Sequence, residues 1–225
     1  GQRQLAQIVR QHRARIEYDP NKALHWTMDF NTAPFITGLL AQIWWEAERR
    51  RWRCHFLREY CLAHPQSNTK ALCRALAYDL REGAFANHAS GLYIYGDGSG
   101  KNRSTMATAG QEHNFDVAFD ELRPWLHNES DRVVKRNPAH AVVRDFGNGY
   151  LRGDLPLWVT FDPTMTRTTG DMVHTKEAAD GGILKVYEVD RKTGVRYEKF
   201  GHCLQAHYYL TVGAFPDLFD QFVRR

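Results

Sequence analysis

Two aspartates stand where carboxylates can do metal chemistry. Asp97 closes the apolar run of "GLYIYGDGSGKNR" (91–103), and Asp29 lies near the end of "LHWTMDF" (24–30). The second stretch alternates, with Leu24, Trp26 and Met28 on one side and His25, Thr27 and Asp29 on the other. That is the period of a strand. The first is apolar throughout, as in a strand buried on both faces. In open α/β sheets chemistry gathers at the carboxyl ends of strands. If the two strands are parallel neighbours, the acids lie about 4.8 Å apart. Their oxygens can then share a hard cation at about 2.0–2.1 Å each. Without a cation the pair repels, and one acid has a raised pKa. The plainer alternative is that each aspartate caps the element that follows it.

The same loop resembles a phosphate cradle, but its spacing excludes one. The Walker pattern needs glycine where Tyr95 stands and a hydroxyl where Asn102 stands. Gly96, Gly98 and Gly100 are spaced by two, so the dinucleotide pattern fails as well. The glycines are left to turn the chain and to let a phosphodiester or metal approach the backbone. Zinc is not supported either. Cys54, Cys61, Cys73 and Cys203 form no C-x-x-C pair, and the 11 histidines show no H-E-x-x-H spacing. The cysteines read as reduced, partly buried thiols.

The elements that must position the acids follow from periodicity. With 225 residues, 43% of them hydrophobic, the chain has the makings of one cored domain. Residues 1–22 read as a basic amphipathic helical connector, and 23–225 as the main domain. Strands are expected at 24–30, 35–45 and 51–63, then a helix at 67–83 that Ser67, Asn68 or Thr69 caps and Gly83 stops. After the Asp97 strand come a helix at 115–126, a short strand at 131–136 and a helix at 138–153. An extended 155–163, a short helix at 168–178, a hairpin at 183–200 and a last helix at 201–215 complete the order. Three consecutive strands followed by βα alternation imply an α/β mixed sheet flanked by helices. The ribonuclease H-like fold has this order, with the hairpin as an extra.

Charge adds a second region. The net charge is +4, and "EAERRRWRCHFLREY" (46–60) sets five arginines around Trp52. Either this is a solvated hairpin tip or its arginines, Arg50 and Arg51 among them, meet phosphates. No apolar run is long enough to span a membrane, and the polar, basic start is no signal peptide.

In this setting the chain resembles the nuclease domain of tailed-bacteriophage large terminase subunits, the DNA-packaging motor proteins. The resemblance is carried by "HWTMDFNTAP" with "FITGLLAQ", "LYIYGDGSGKNRST", "NPAHAVVRDFGNGYLRGDLPLWVTFDP" and "ILKV…YEKFGHCLQAHYYLTV", in family order over residues 24–212. It implies a ribonuclease H-like fold and cleavage of double-stranded DNA with two Mg²⁺ or Mn²⁺ ions. It makes Asp29 the first metal-binding acid and Asp97 the second. The family's third acid, in a pattern like H-x-x-D-A, is replaced here by Gln205 in His202-Cys203-Leu204-Gln205-Ala206. An amide oxygen can touch a cation but brings no charge. His202, His207, Glu188 and Glu198 are the candidates to compensate, His202 as a metal ligand. Lys101, Arg103 and Lys185 are candidate phosphate contacts beside Arg50 and Arg51. The resemblance further implies an upstream ATPase domain, a portal and a small terminase subunit as partners, in the host cell cytoplasm. The alternatives are a degenerate nuclease fold that binds DNA or a packaging partner without cutting, and a resolvase- or transposase-like nuclease.

Overall fold

The structure, a computed structural model, describes residues 2–101, 113–179, 181–191 and 194–224. Six strands form one mixed sheet in the order β5-β4-β1-β2-β3-β6. These are β1 (Leu24–Asp29), β2 (Phe35–Glu46), β3 (Arg51–Ala63), β4 (Leu92–Gly96), β5 (Leu126–Asp131) and β6 (Leu157–Phe161). β1, β2 and β3 are antiparallel, as their short connections require, while β4 and β5 add in parallel beyond β1 and β6 in parallel beyond β3. The expected ribonuclease H-like architecture is the one present.

Strand alternation divides the core into two layers. Leu24, Trp26 and Met28 of β1, with Leu92 and Ile94 of β4, face α2 (Thr69–Arg81) and α3 (Asn114–Leu122). Trp26 is wholly buried, edge-on to Tyr60 at 5.2 Å. A large side chain buried this way contributes roughly 1.5–3 kcal/mol. On the other face Leu39, Cys54, Phe56, Tyr95, Val159 and Phe161 pack against α1 (Gln2–Gln11), α4 (His140–Arg152), α5 (Thr166–His174), α6 (His202–Ala214) and α7 (Pro216–Val223). A separate hairpin pairs β7 (Tyr187–Val189) with β8 (Arg196–Glu198).

Several elements depart from the sequence expectation. The first helix ends at Gln11 rather than running on to the turn at "DPN" (19–21). Beyond it the chain turns extended to meet β6: Phe161 N–H donates to the His12 carbonyl at 2.8 Å, and Ala14 N–H to the Phe161 carbonyl at 3.0 Å. Val9 and His12 are buried by this docking. The strand expected at 131–136 lies earlier, at Leu126–Asp131, because the α-helix gives way after Leu122 to a single 3-10 turn, Arg123–Trp125, and β5 is an edge strand with mostly exposed residues. The expected helix at 168–178 occupies Thr166–His174. The hairpin is narrower than 183–200, and α7, begun by Pro216, has no counterpart in the sequence expectation.

Candidate active site

Parity and register place the two acids. Asp29 shares its face of β1 with Thr27, and Asp97 follows the same alternation from Tyr93 and Tyr95. That face is the one α6 covers, for the Thr27 hydroxyl donates to the Ala206 carbonyl at 2.8 Å. β1 and β4 are parallel neighbours, and the last register pair is Met28 with Gly96. The next residue on each strand is the aspartate, so the acids leave adjacent strand ends toward α6.

Asp29 is 3% exposed. Asn31 Nδ2 donates to its Oδ2 at 3.2 Å, and His202 Nδ1 lies 3.4 Å from the same oxygen. His202 Nε2 is 2.9 Å from the Glu198 carbonyl. A carbonyl only accepts, so Nε2 carries a proton and Nδ1 faces Asp29 and Asn31. Burial pushes the His202 pKa down. The Asp29 hydrogen bond, the Glu198 carbonyl and the charges of Asp29 and Asp171 push it up, and the net direction is up.

Asp97 is held on its other side. Its Oδ1 accepts Asn137 Nδ2 at 2.5 Å and the Ser99 N–H at 2.8 Å, while Asn137 Oδ1 accepts the Gly98 N–H at 3.0 Å. The loop amides that a phosphate cradle needs are thus taken by Asp97 and Asn137. The glycines serve close packing. A Cβ at Gly96 would stand 2.9 Å from the Met28 carbonyl oxygen, and one at Gly100 would stand 2.2 Å from Phe30.

α6 closes the site. His202, Gln205 and Tyr209 fall on one helical face. The Tyr209 hydroxyl donates to Gln205 Oε1 at 3.3 Å. Burial, then the negative charges of Asp97 and Asp29, push that hydroxyl's pKa well up, so both carboxylates act on one phenol. Asp97, Asn137, Gln205 and Tyr209 line a common pocket with His140. The start of α6 is fixed by relayed caps. Glu59 of β3 accepts the N–H groups of Arg167 and Thr168 at the start of α5, at 2.9 and 2.7 Å. Asp171 of α5 in turn accepts the Cys203 N–H at 2.9 Å. Burial raises the Asp171 pKa against the N–H bonds from Cys203, Gly201 and Leu204.

The structure sets His202 against Asp29 and places Asp97 and Gln205 in one pocket with Tyr209. The other candidates fall elsewhere. His207 is in the core, its Nε2 2.9 Å from the Tyr150 hydroxyl and its ring against Phe56 and Phe161. The expectation that it compensates for the missing acid is corrected, because its side chain is held in the core by Tyr150 and these rings. Glu188 pairs with Lys199, out on the hairpin. Lys185 pairs with Glu198 at 2.5 Å, at the hairpin base. Lys101 ends the short helical turn after Asp97, and Arg103 lies outside the described residues. Arg50 and Arg51 sit at the far tip of β2–β3. Asp29 pairs with Thr37, and Glu46 at that tip is nine residues further along β2. At about 3.3 Å per residue the separation is roughly 30 Å.

Sequence reasoning missed Asn31, Asn137, Tyr209 and Asp171. Asn31 follows Asp29 by two residues and Tyr209 follows Gln205 by one helical turn, so both were within reach of spacing arguments. Asn137 and Asp171 carry no such signal.

No protein-family model and no curated protein sequence matches the chain. Solved structures do match in three dimensions. The nuclease domain of the P22 large terminase aligns at TM-score 0.51 and 12% identity, over 95% of this chain and 90% of that one. Two crystal forms of the large terminase from a thermophilic bacteriophage align at TM-scores 0.52 and 0.51, with 11% and 12% identity, each over 92% of this chain. The fold is that of a large-terminase nuclease domain. The chain spans 44% of the length of the thermophilic phage's large terminase.

In this terminase nuclease fold, the donor set at the ends of β1 and β4 suits a hard cation. It offers two carboxylates, amide and phenol oxygens, and one imidazole. Among the described residues, no three of His, Cys, Asp and Glu come together as a metal cluster.

Proposed function

We propose that the chain is a divalent-metal-dependent endonuclease domain that cuts double-stranded phage DNA during genome packaging. The observation that supports this is the pairing of Asp29 and Asp97 at adjacent parallel strand ends, in a fold shared with large-terminase nuclease domains. Asp29 and Asp97, with His202 and Gln205 beside them, are the residues that would hold Mg²⁺ or Mn²⁺. When bound there, the metal supplies an activated water and stabilises charge on the leaving oxygen. The chain's own residues set the stage for that chemistry. Asn137 and the Ser99 N–H fix the rotation of the Asp97 carboxylate, and Asn31 fixes Asp29. Glu198 orients His202 through its carbonyl. Lys185, one ion pair away, is a cation that a scissile phosphate would draw off Glu198. Lys101 and Arg103, the next cations along the chain after Asp97, would serve as further phosphate contacts.

The thermophilic phage's large terminase has been solved in complex with ATP-γ-S. This supports an ATPase part joined to the present domain in the whole protein. A portal and a small terminase subunit are proposed as packaging partners on the family resemblance alone. The place of action would be the host cell cytoplasm. No helix among the described residues is long and apolar enough to cross a membrane.

Purified protein is expected to nick or linearise plasmid DNA with Mn²⁺ or Mg²⁺. No cleavage at any concentration of either metal would reject it as a competent enzyme. Gln205 favours a second reading, in which the domain holds DNA without cutting it. Retention of plasmid on a gel shift without any nicking would select that reading.

A further inference from the structure

Cys61 of β3 and Cys203 of α6, 142 residues apart in the chain, bring their sulfurs to 3.7 Å. We propose that these two thiols form a reversible disulfide that draws the first turn of α6 toward β3 and takes His202 from Asp29. Cutting would slow as a result, and that consequence alone rests on the nuclease reading above.

Strand register carries this. Asp29 pairs with Thr37, and Thr37 pairs with Cys61. Directly paired residues share a face of the sheet, so Cys61 lies on the face that α6 covers. It stands two strands from Asp29, roughly 10 Å at about 4.8 Å per strand. Cys203 is the second residue of α6 and follows His202, whose Nδ1 is 3.4 Å from Asp29 Oδ2. A disulfide bond is about 2.0 Å long, so the 3.7 Å gap closes by roughly 1.7 Å. That closure pulls the start of α6 toward β3, and His202 with it, away from β1.

Reach and reactivity divide the two thiols. Cys203 is wholly buried and Cys61 half-buried. The Cys61 contact, then burial, pushes the Cys203 pKa well up, and the charges of Asp171 and Glu59 add to this. A small oxidant such as hydrogen peroxide therefore meets Cys61 first. The Cys61 sulfur attacks one peroxide oxygen, the O–O bond breaks, and a sulfenic acid and water result. The Cys203 sulfur then displaces the hydroxyl group, the S–S bond forms, and the Cys203 proton leaves with that hydroxyl as a second water. The two thiols lose two electrons and the peroxide gains them. A dithiol reverses the bond and becomes a disulfide itself. Where thiols are kept reduced, such a bond is transient. Among the described residues the other two cysteines have no thiol neighbour: Cys73 meets Met28 Sδ at 3.9 Å, and Cys54 lies in the core.

The test treats the native protein with hydrogen peroxide, quenches it, and maps its thiols by alkylation and mass spectrometry. Free thiols are expected to fall from the four in the sequence to two. One cross-linked peptide should join Cys61 to Cys203, with the loss of two hydrogens in intact mass. Plasmid nicking should fall on the order of tenfold or more, as for a misplaced catalytic group, and return with dithiothreitol. Cys61→Ser should nick like untreated wild type and ignore the same peroxide. Treated protein in which Cys61 and Cys203 stay unlinked would overturn the inference. So would full nicking by the linked form, or an equal loss in Cys61→Ser. Absence of nicking by reduced wild type would reject the cutting function alone. The His202 imidazole resonances then decide: a shift on linkage is expected, and unshifted resonances would overturn the inference.

Discussion

The two ends of β2 show opposite treatments of charge. Where β2 begins, beside the end of β1, Asp29 and Asp97 are brought together with only neutral amides, a phenol and one imidazole around them. Where β2 ends, Glu46 takes Arg51 at 2.9 Å and Arg53 at 2.7 Å, and the Arg51 guanidinium also lies 4.6 Å over Trp158. Burial raises the Glu46 pKa, but hydrogen bonds and charge from the two arginines outweigh it and hold the carboxyl low. On the reading proposed above, the two acids await an ion, with the His202 imidazole beside Asp29. Opposite charges matched within the chain hold structure in place.

Variants at the two ends are expected to behave in opposite ways. The largest effect is expected from Asp29→Asn and Asp97→Asn. Metal-assisted catalysis contributes several kcal/mol, so each should slow plasmid cleavage on the order of 10³-fold at about 1.4 kcal/mol per decade. Thermal midpoints should stay level or rise, since a repelling charge is removed. Full activity in either variant would move the site elsewhere.

Glu46→Gln should do the reverse. It leaves Arg53, only 8% exposed, without its carboxylate. The loss should be about 2 kcal/mol in denaturant unfolding, with cleavage by the remaining folded protein unchanged. An unshifted unfolding midpoint would show that the matched pairs contribute no stability.

A third expectation concerns acid. His207 is wholly buried, and burial, with the nearby His12, pushes its pKa down to about 3. Its folded pKa lies below the unfolded value of about 6.5. The stability it contributes is therefore full above about 6.5 and is lost as pH falls from there toward 3. The double variant His207→Phe/Tyr150→Phe replaces the hydrogen-bonded pair with rings. It should lose less stability than wild type between pH 6.5 and 4 in thermal melts. Parallel profiles would exclude His207 as a cause of acid lability.

The smallest effect is expected at the exposed arginines of the tip. The guanidinium groups of Arg49 and Arg50 have no acid partner among the described residues. Stability should change by less than about 0.5 kcal/mol on Arg49→Ala or Arg50→Ala. If the tip touches DNA, each should lower the salt dependence of binding by about one unit of slope. An unchanged slope would leave the tip as a solvated turn.

Much of the acid end is legible in the chain. Alternation in "LHWTMD" assigns Asp29 to the face opposite Trp26, and the apolar run before Asp97 marks a buried strand. Both readings rest on local period, which burial enforces residue by residue. Periodicity misplaces the polar edge strand β5 because exposed strands carry no such pattern. It extends the first helix too far because nothing local announces that residues 12–14 pair with β6. It shifts α5 because the start of that helix is capped by Glu59, more than a hundred residues earlier.

By itself, the sequence determined the strand-rich α/β plan, the two acids, the failed phosphate loop and the amide at position 205. Tertiary structure alone decided that β4 lies parallel beside β1, that Asn137 and Tyr209 reach the acids, and that the arginine tip stands at the far end of the sheet. The reason is range. Periodicity and spacing act between near neighbours in the chain, whereas sheet order and hydrogen bonds between distant elements form only when burial of the whole core selects one arrangement.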